Sequence, residues 1–407
     1  MVDDLFPKRT RNAHIPLWMD TLCISVHDDE CRKLSIINMR NTYEHSAASL
    51  VLDAGMQQLS LSAPIQERCL RFFNSGWHHR VWTFQEGMLP PRVFLRFQDK
   101  SLFLRDLIDE RMEFDKRTEK QGIYVPWVAM IEGAISIHFT FLKGAISMIA
   151  SGEDEDEYPR SSMYLPMLDA FSRRQTTKAS DETLCLATVL GIDPSPFLAI
   201  KKNKEIADQD VADKDVADRR LELFLTYIGR FHKGIIFNAR PRLRKEGYRW
   251  APRSLMGNKS GEFGENLYGN EDDVFMISIG SSHCLVGSYP GVHLKSVPVL
   301  SESDFIIIIN GRQTRRYHVR LLLDESADFA GWDQSAKYSL ITYQKLGKDV
   351  LDSIAVLGKQ RKLKKSMVGV CVRYECRASV ELLLDDTGEG PEVRGKIVHG
   401  DELWNIM

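Results

Sequence analysis

Residues 76–87 read GWHHRVWTFQEG, a run with no helix breaker between its two glycines. If this run is one helix, Trp82 and Glu86 share a face, and His79 lies one turn earlier on the same stripe. A carboxylate held beside an indole can bind a flat ring and stabilise a developing positive charge. The same spacing is also typical of an amphipathic helix with a buried tryptophan and a solvated glutamate.

The segments on both sides of this run predict alternating strands and helices. The predicted strands cover residues 15–20, 48–53 and 92–97. One helix is predicted to begin at the acidic residues 28–30, and another covers residues 63–88 with a break near residue 75 and a stop at Pro90 and Pro91. Short apolar strands of this kind favour a parallel sheet, so the pattern predicts an α/β layer.

The rest of the chain changes character twice. Residues 102–234 have a mainly helical pattern, with an apolar stretch at residues 221–231. The β-like segments that follow are residues 274–279, 304–310, 317–324, 338–342, 368–373 and 379–384. The sequence therefore predicts three regions: an α/β domain over 1–110, a mainly helical region over 111–257 and a mostly β region over 258–407.

Composition excludes several classes of function. The formal net charge of −2 over 407 residues gives no electrostatic reason to expect nucleic acid. The seven cysteines have no C-x-x-C spacing, so we expect reduced thiols and no metal site. The apolar window 125–150 contains Glu132, His138 and Lys143, which favours a buried helix over a membrane span. With no apolar signal-peptide core at the N-terminus, a cytoplasmic protein is expected.

Several separated segments resemble one known family. LWMDTLCI at residues 17–24 is followed by Arg32, Ile36, Met39 and Tyr43, and then by LVLD at residues 50–53. The series ends in the R-x-W-x-x-Q-E pattern of residues 80–86. Over residues 15–98 it resembles the fungal heterokaryon-incompatibility (HET) domain, whose usual strand and loop read roughly W-I-D-A-L-C-I-N-Q. DETLCLA at residues 181–187 and GYRWAP at residues 247–252 look like segments that follow this domain in many fungal proteins.

The resemblance implies a fold and a function. HET domains resemble TIR domains, which have a flavodoxin-like parallel sheet with helices on both faces, and they act in nonself recognition and programmed cell death. In TIR domains that cleave NAD, a helical glutamate lies four residues after a tryptophan, so Glu86 is the implied catalytic carboxylate. Trp82, Asp20, Gln85 and Arg80 are the candidate substrate-binding residues. NAD would be a substrate, and no cofactor is implied.

The chain also departs from the family pattern. Ser25 and Val26 replace the polar Asn-Gln pair, and no Y-x-A-L-S-Y-x-W-G strand precedes Trp18. We therefore expect a TIR-like domain that is incomplete at its N-terminus. This leaves two further alternatives. The chain could be a catalytically inactive interaction module that acts through self-association or an unknown protein partner, or a gene-model fragment that folds poorly alone.

Overall fold

The structure is a computed structural model. Contacts within the chain divide it into two compact units. One unit comprises residues 1–227 with 255–259, and the other comprises residues 228–254 with 260–407. The structure describes residues 16–25, 27–120, 171, 174–203, 205–256, 273–279, 282–296, 304–310, 314–323, 332–346, 352–362, 368–383, 390–398 and 403–407. The apolar window 125–150 and Val26 lie outside these residues, and the three predicted regions stay a prediction.

The first unit is built mainly from helices. These are α1 (Asp20–Cys23), α2 (Asp29–Glu44), α3 (Ala54–Gln57), α4 (Ile65–Phe73), α5 (Gly76–His79), α6 (Thr83–Met88), α7 (Leu104–Lys120), α8 (Asp181–Val189), α9 (Ser195–Leu198) and α10 (Gln209–Ile228). Its strands are β1 (Ser49–Val51), β2 (Val93–Arg96) and β3 (Ser101–Phe103).

Local sequence signals account for several of these elements. The Asp28 side chain accepts hydrogen bonds from the backbone N–H groups of Glu30 and Cys31, so the predicted start of α2 is confirmed. Asp53 caps α3 in the same way. The strands predicted over residues 48–53 and 92–97 are present as β1 and β2, which pair in parallel.

The predicted flavodoxin-like parallel-sheet fold is wrong. The described part of the first unit has a three-stranded sheet, in which β2 pairs with β3 antiparallel. A short turn, in which the Phe97 N–H donates to the Lys100 carbonyl, joins these two strands and fixes that direction. The strand predicted over residues 15–20 is also wrong, because residues 16–19 are irregular and Asp20 begins α1. Pro16 lacks an N–H donor and Leu17 is 78% exposed, whereas a central parallel strand is buried on both faces.

The second unit is built mainly from strands. These are β4 (Arg230–His232), β5 (Asp273–Ile279), β6 (Ser282–Ser288), β7 (Gly291–Leu294), β8 (Asp304–Ile309), β9 (Arg315–Leu322), β10 (Tyr338–Thr342), β11 (Asp352–Arg361), β12 (Val370–Leu383), β13 (Glu392–Val398) and β14 (Leu403–Ile406). A 3₁₀ helix covers Lys233–Phe237. Each predicted β-like segment overlaps one of these strands.

Seven of these strands close into a barrel that the sequence did not predict. Their order is β11-β10-β7-β13-β8-β9-β12, and β12 pairs again with β11 to close the ring. Strands β14, β6, β5 and β4 continue the sheet outward from β12. Closure leaves no free edge within the ring. Buried side chains fill the interior, among them Phe305, Ile307, Val319, Leu340 and Leu357.

Within the described ranges, no helix is both long enough and apolar enough to cross a bilayer.

Candidate functional site

The run at residues 76–87 forms two short helices rather than the single helix that its spacing predicts. Helix α5 ends at His79, Arg80 has extended backbone angles, and α6 begins at Thr83. The Thr83 hydroxyl donates to the carbonyls of Trp77 and Arg80. The Val81 N–H donates to the Gln175 carbonyl at 3.0 Å. These bonds satisfy backbone and side-chain groups without a continuous helix, which explains the break at Arg80.

Trp82 and Glu86 both follow this break, but their side chains have different partners. The Trp82 indole N–H donates to Asp181 Oδ2 at 2.8 Å. Glu86 Oε2 instead accepts a hydrogen bond of 2.7 Å from the indole N–H of Trp77. The Tyr43 hydroxyl lies 3.4 Å from Glu86 Oε1. The structure therefore places an indole beside the candidate carboxylate, but this indole belongs to Trp77 and not to Trp82.

Tyr43 and Trp77, which both contact the Glu86 carboxylate, each pack against a further aromatic ring. The Trp18 and Tyr43 rings meet edge to face, with centroids 5.3 Å apart. The Trp77 ring packs against Phe72, with centroids 6.0 Å apart. We call the group formed by Trp18, Asp20, Tyr43, Trp77 and Glu86 the Glu86 site. Its members come from α1 and the residue pair before it, α2, α5 and α6, so no single sequence motif contains the whole group.

Burial controls the electrostatics of the Glu86 site. Glu86 is partly buried, and this raises the pKa of its carboxyl above the usual 4.5. The hydrogen bond from Trp77 lowers that pKa, the nearby Asp20 carboxylate raises it, and Arg80 lowers it. Burial and the neighbouring Glu86 also raise the pKa of Tyr43. Burial is the largest effect, so Glu86 is a stronger base than an exposed glutamate.

The raised pKa predicts how Glu86→Gln changes stability with pH. A carboxyl whose pKa is higher in the folded protein stabilises it fully below 4.5, and this contribution is lost as pH rises through the folded pKa. Glutamine does not titrate, and its amide can accept from Trp77 and donate to Tyr43. We therefore expect the variant to gain stability relative to the wild type between acidic and neutral pH. Urea unfolding over a pH series measures this difference.

The control for this prediction is Glu113→Gln, which replaces an exposed glutamate of α7. Its stability should follow that of the wild type across the same pH series. If Glu86→Gln also follows the wild type at every pH, the raised pKa of Glu86 is wrong.

The other predicted site residues fall into two groups. Asp20 and Arg80 lie near enough to Glu86 to shift its pKa. Trp82 points to Asp181, as described above. Gln85 is fully buried, and its amide lies beside the thiol of Cys185. The structure therefore brings two of the four candidate substrate-binding residues towards Glu86 and directs the other two towards α8.

Side chains of helix α8 form hydrogen bonds with the two residues that follow Arg80, where the 76–87 run breaks. Besides the Asp181 bond to Trp82, the Cys185 thiol donates to the Val81 carbonyl at 3.1 Å. Burial raises the pKa of this thiol to about 12, so it is inert as a nucleophile. The segment DETLCLA, which the sequence linked to the same family, thus holds residues 81 and 82 in place.

Arg174 is a residue of this region that sequence reasoning missed. It is 2% exposed and donates to the Arg80 carbonyl at 2.7 Å and to the Thr83 hydroxyl at 3.1 Å. Its guanidinium lies 4.8 Å from the centre of the Phe84 ring. Burial lowers its pKa to about 10. No motif marks Arg174, because its role depends on a carbonyl that is free only where the helix breaks.

In the part of the chain that the structure describes, no group of three or more His, Cys, Asp or Glu side chains could hold a metal ion. The chemistry of the Glu86 site is that of a basic carboxylate between aromatic donors.

Comparisons of the chain with models of protein families, with curated proteins and with solved structures find no match. The resemblance to the HET domain therefore stays a prediction that rests on the sequence segments themselves.

Proposed function

We propose that this chain is a HET-type protein of fungal nonself recognition and cell-death signalling, and that it cleaves NAD at the nicotinamide–ribose bond. The observation that carries the proposal is the Glu86 carboxylate, which is partly buried, has a raised pKa and lies between Trp77 and Tyr43. This is the function that the Glu86 site supports best, and it agrees with the sequence resemblance.

The positive charge of the proposed substrate is opposite to that of the Glu86 and Asp20 carboxylates. The nicotinamide ring of NAD is flat and positively charged. Aromatic faces such as those of Trp18 and Tyr43 attract cationic rings, and the carboxylates of Glu86 and Asp20 add electrostatic attraction. Partial burial strengthens these interactions, because less water screens them.

The reaction is a hydrolysis at the ribose carbon. The carbon–nitrogen bond breaks, its electron pair leaves with neutral nicotinamide, and the ribose gains oxocarbenium character. The Glu86 carboxylate stabilises this positive charge. Water then adds to the ribose carbon and gives a proton to Glu86, which its raised pKa favours. The products are nicotinamide and ADP-ribose.

The test is to incubate the folded full-length chain with NAD at high protein concentration and to measure both products by chromatography. NADH is the matched control, since its uncharged dihydronicotinamide ring is a poor leaving group. The proposal predicts equal amounts of nicotinamide and ADP-ribose from NAD and almost none from NADH. Folded protein that releases no nicotinamide from NAD would contradict it.

A second candidate is a catalytically inactive interaction module. The observation that favours it is that both oxygens of Glu86 face donors of the protein itself, so the carboxylate can serve to join α2, α5 and α6. Such a module would act through self-association or an unknown protein partner. Self-association in light scattering, without nicotinamide release at the same concentration, would support it. Under either candidate we expect a cytoplasmic protein.

A further inference from the structure

Arg174 is a buried cation without an acidic partner. Its side chain is 2% exposed, and in the part of the chain that the structure describes no carboxylate forms an ion pair with it. Burying a charge in this way is costly unless hydrogen bonds and other contacts compensate. The role of Arg174 is therefore to be found in the groups that it contacts.

One nitrogen of the guanidinium contacts both sides of the break in the 76–87 run. Nη1 of Arg174 donates to the Arg80 carbonyl at 2.7 Å and to the Thr83 hydroxyl oxygen at 3.1 Å. The Thr83 hydroxyl donates in turn to the carbonyl of Trp77. Trp77 belongs to α5, and Thr83 is the first residue of α6. These bonds therefore join the two helices across the extended residue between them.

The residues near Arg174 in the chain hold the same break. The Gln175 N–H donates to the His79 carbonyl at 2.6 Å, and the Val81 N–H donates to the Gln175 carbonyl at 3.0 Å. The Phe171 ring meets the Phe84 ring edge to face, with centroids 4.8 Å apart. Arg174 thus lies in a segment that contacts α5, α6 and the residues between them.

The arrangement of α5 and α6 sets the contact at the Glu86 carboxylate. The indole N–H that donates to Glu86 Oε2 at 2.7 Å belongs to Trp77 of α5, whereas Glu86 lies one turn after Thr83 in α6. A displacement of ~1 Å between the two helices would lengthen this bond beyond the normal range of a hydrogen bond. Any change that separates the helices therefore reaches the carboxylate.

We propose that Arg174 is a positioning residue of the Glu86 site. By bonding to Arg80 and Thr83, it holds α5 and α6 in the arrangement in which Trp77 donates to Glu86. Arg174 acts through these two residues, so it is not itself a catalytic residue. Its effect on turnover rests on the proposed function, whereas its effect on Glu86 is present without substrate.

The first test is to titrate Glu86 by NMR of its side-chain carbon in Arg174→Met, without NAD. Methionine has a similar length and suits a site beside aromatic rings, but it has neither the charge nor the donors. Burial raises the pKa of Glu86, whereas the Trp77 bond lowers it, and Arg174 and Glu86 favour each other's charged form. We therefore expect the pKa of Glu86 to rise by ~0.5 or more in the variant. The variant leaves in place the other groups that shift this pKa, which are Asp20, Arg80 and Tyr43.

Two further variants serve as the control and the rescue. Arg117→Met removes an exposed arginine of α7 and should leave the pKa of Glu86 at its wild-type value. Arg174→Lys keeps the positive charge and one donor group, although it lacks the planar guanidinium. The pKa of Glu86 in Arg174→Lys should therefore lie between the values for the wild type and Arg174→Met.

Thr83→Val separates the effect of geometry from the effect of charge. It removes the hydroxyl that links Arg174 to Trp77 and leaves the charge of Arg174 in place. A raised pKa of Glu86 in this variant therefore reports a displaced Trp77 and supports the proposal, even if Arg174→Met does not fold. A pKa of Glu86 that stays at its wild-type value in Thr83→Val overturns the proposal, because Arg174 then acts by charge alone or only on stability.

Nicotinamide release from NAD is the second readout. We expect Arg174→Met and Thr83→Val to lower kcat by ~10–10²-fold with little change in KM, because a misplaced carboxylate stabilises the transition state less. A wild type that releases no nicotinamide, together with a raised pKa of Glu86 in Thr83→Val, would contradict the proposed function and leave the positioning role of Arg174 supported.

Discussion

Glu86→Gln is expected to reduce nicotinamide release from NAD by ~10²–10⁴-fold, the usual contribution of a positioned acid–base or charge-stabilising group. The substitution removes the negative charge that stabilises the ribose cation and the base that accepts a proton from water. It keeps the shape of the side chain, and the amide oxygen can still accept from the Trp77 indole. The loss should therefore lie in turnover rather than in folding, and steady-state kinetics with circular dichroism measures both.

Two variants sharpen this prediction. Glu113→Gln makes the same chemical change at an exposed residue and should retain the wild-type rate. Glu86→Asp keeps the charge but shortens the side chain, so it should fall between the wild type and Glu86→Gln. A Glu86→Gln rate close to that of the wild type would show that Glu86 takes no part in the reaction. It would favour the inactive interaction module.

Trp404→Ala is expected to lower the free energy of unfolding by ~3–5 kcal/mol, as is typical when a buried tryptophan is truncated. Trp404 is fully buried in β14, and its indole N–H donates to the Tyr289 carbonyl at 2.9 Å. Its ring lies so close to the backbone of β7 that a Cβ added at Gly291 would be 2.9 Å from Trp404 Cζ2. Truncation would leave both a cavity and an unpaired carbonyl.

Urea unfolding, followed by circular dichroism at a wavelength dominated by β-structure, measures this cost. Val368→Ala is the control, since Val368 is 76% exposed and its truncation should change the free energy of unfolding by less than ~0.5 kcal/mol. A cost for Trp404→Ala as small as that of the control would show that β14 does not pack on the barrel as described.

Local signals in the sequence predicted individual elements well. The acidic start of α2 and the short apolar strands β1 and β2 depend on residues close together in the chain, and all three are present. The β-like segments of the second unit are present for the same reason. Their closure into a barrel depends on pairings such as β7 with β13 and β8 with β13, which join strands far apart in the chain and which no local pattern encodes.

The candidate site was predicted in part, for a related reason. Spacing alone predicts that Trp82 and Glu86 share a helical face. The Trp82 indole nevertheless donates to Asp181, and the break at Arg80 depends on Gln175 and Arg174; all three partners lie more than ninety positions later in the chain. The indole beside Glu86 therefore comes from Trp77. A flavodoxin-like sheet was inferred from strand and helix order, and the exposed, irregular residues 16–19 show why order was insufficient.

On the proposed function, the Glu86 carboxylate faces a site for a cationic ring. The most direct test is to titrate Glu86 by NMR of its side-chain carbon, without and with 1-methylnicotinamide, a cation that has no glycosidic bond to cleave. We expect the pKa of Glu86 to lie above 4.5 in the free protein and to fall when the cation binds, because a nearby positive charge stabilises the carboxylate. Identical titration curves at saturating cation would contradict the claim and assign Glu86 a structural role.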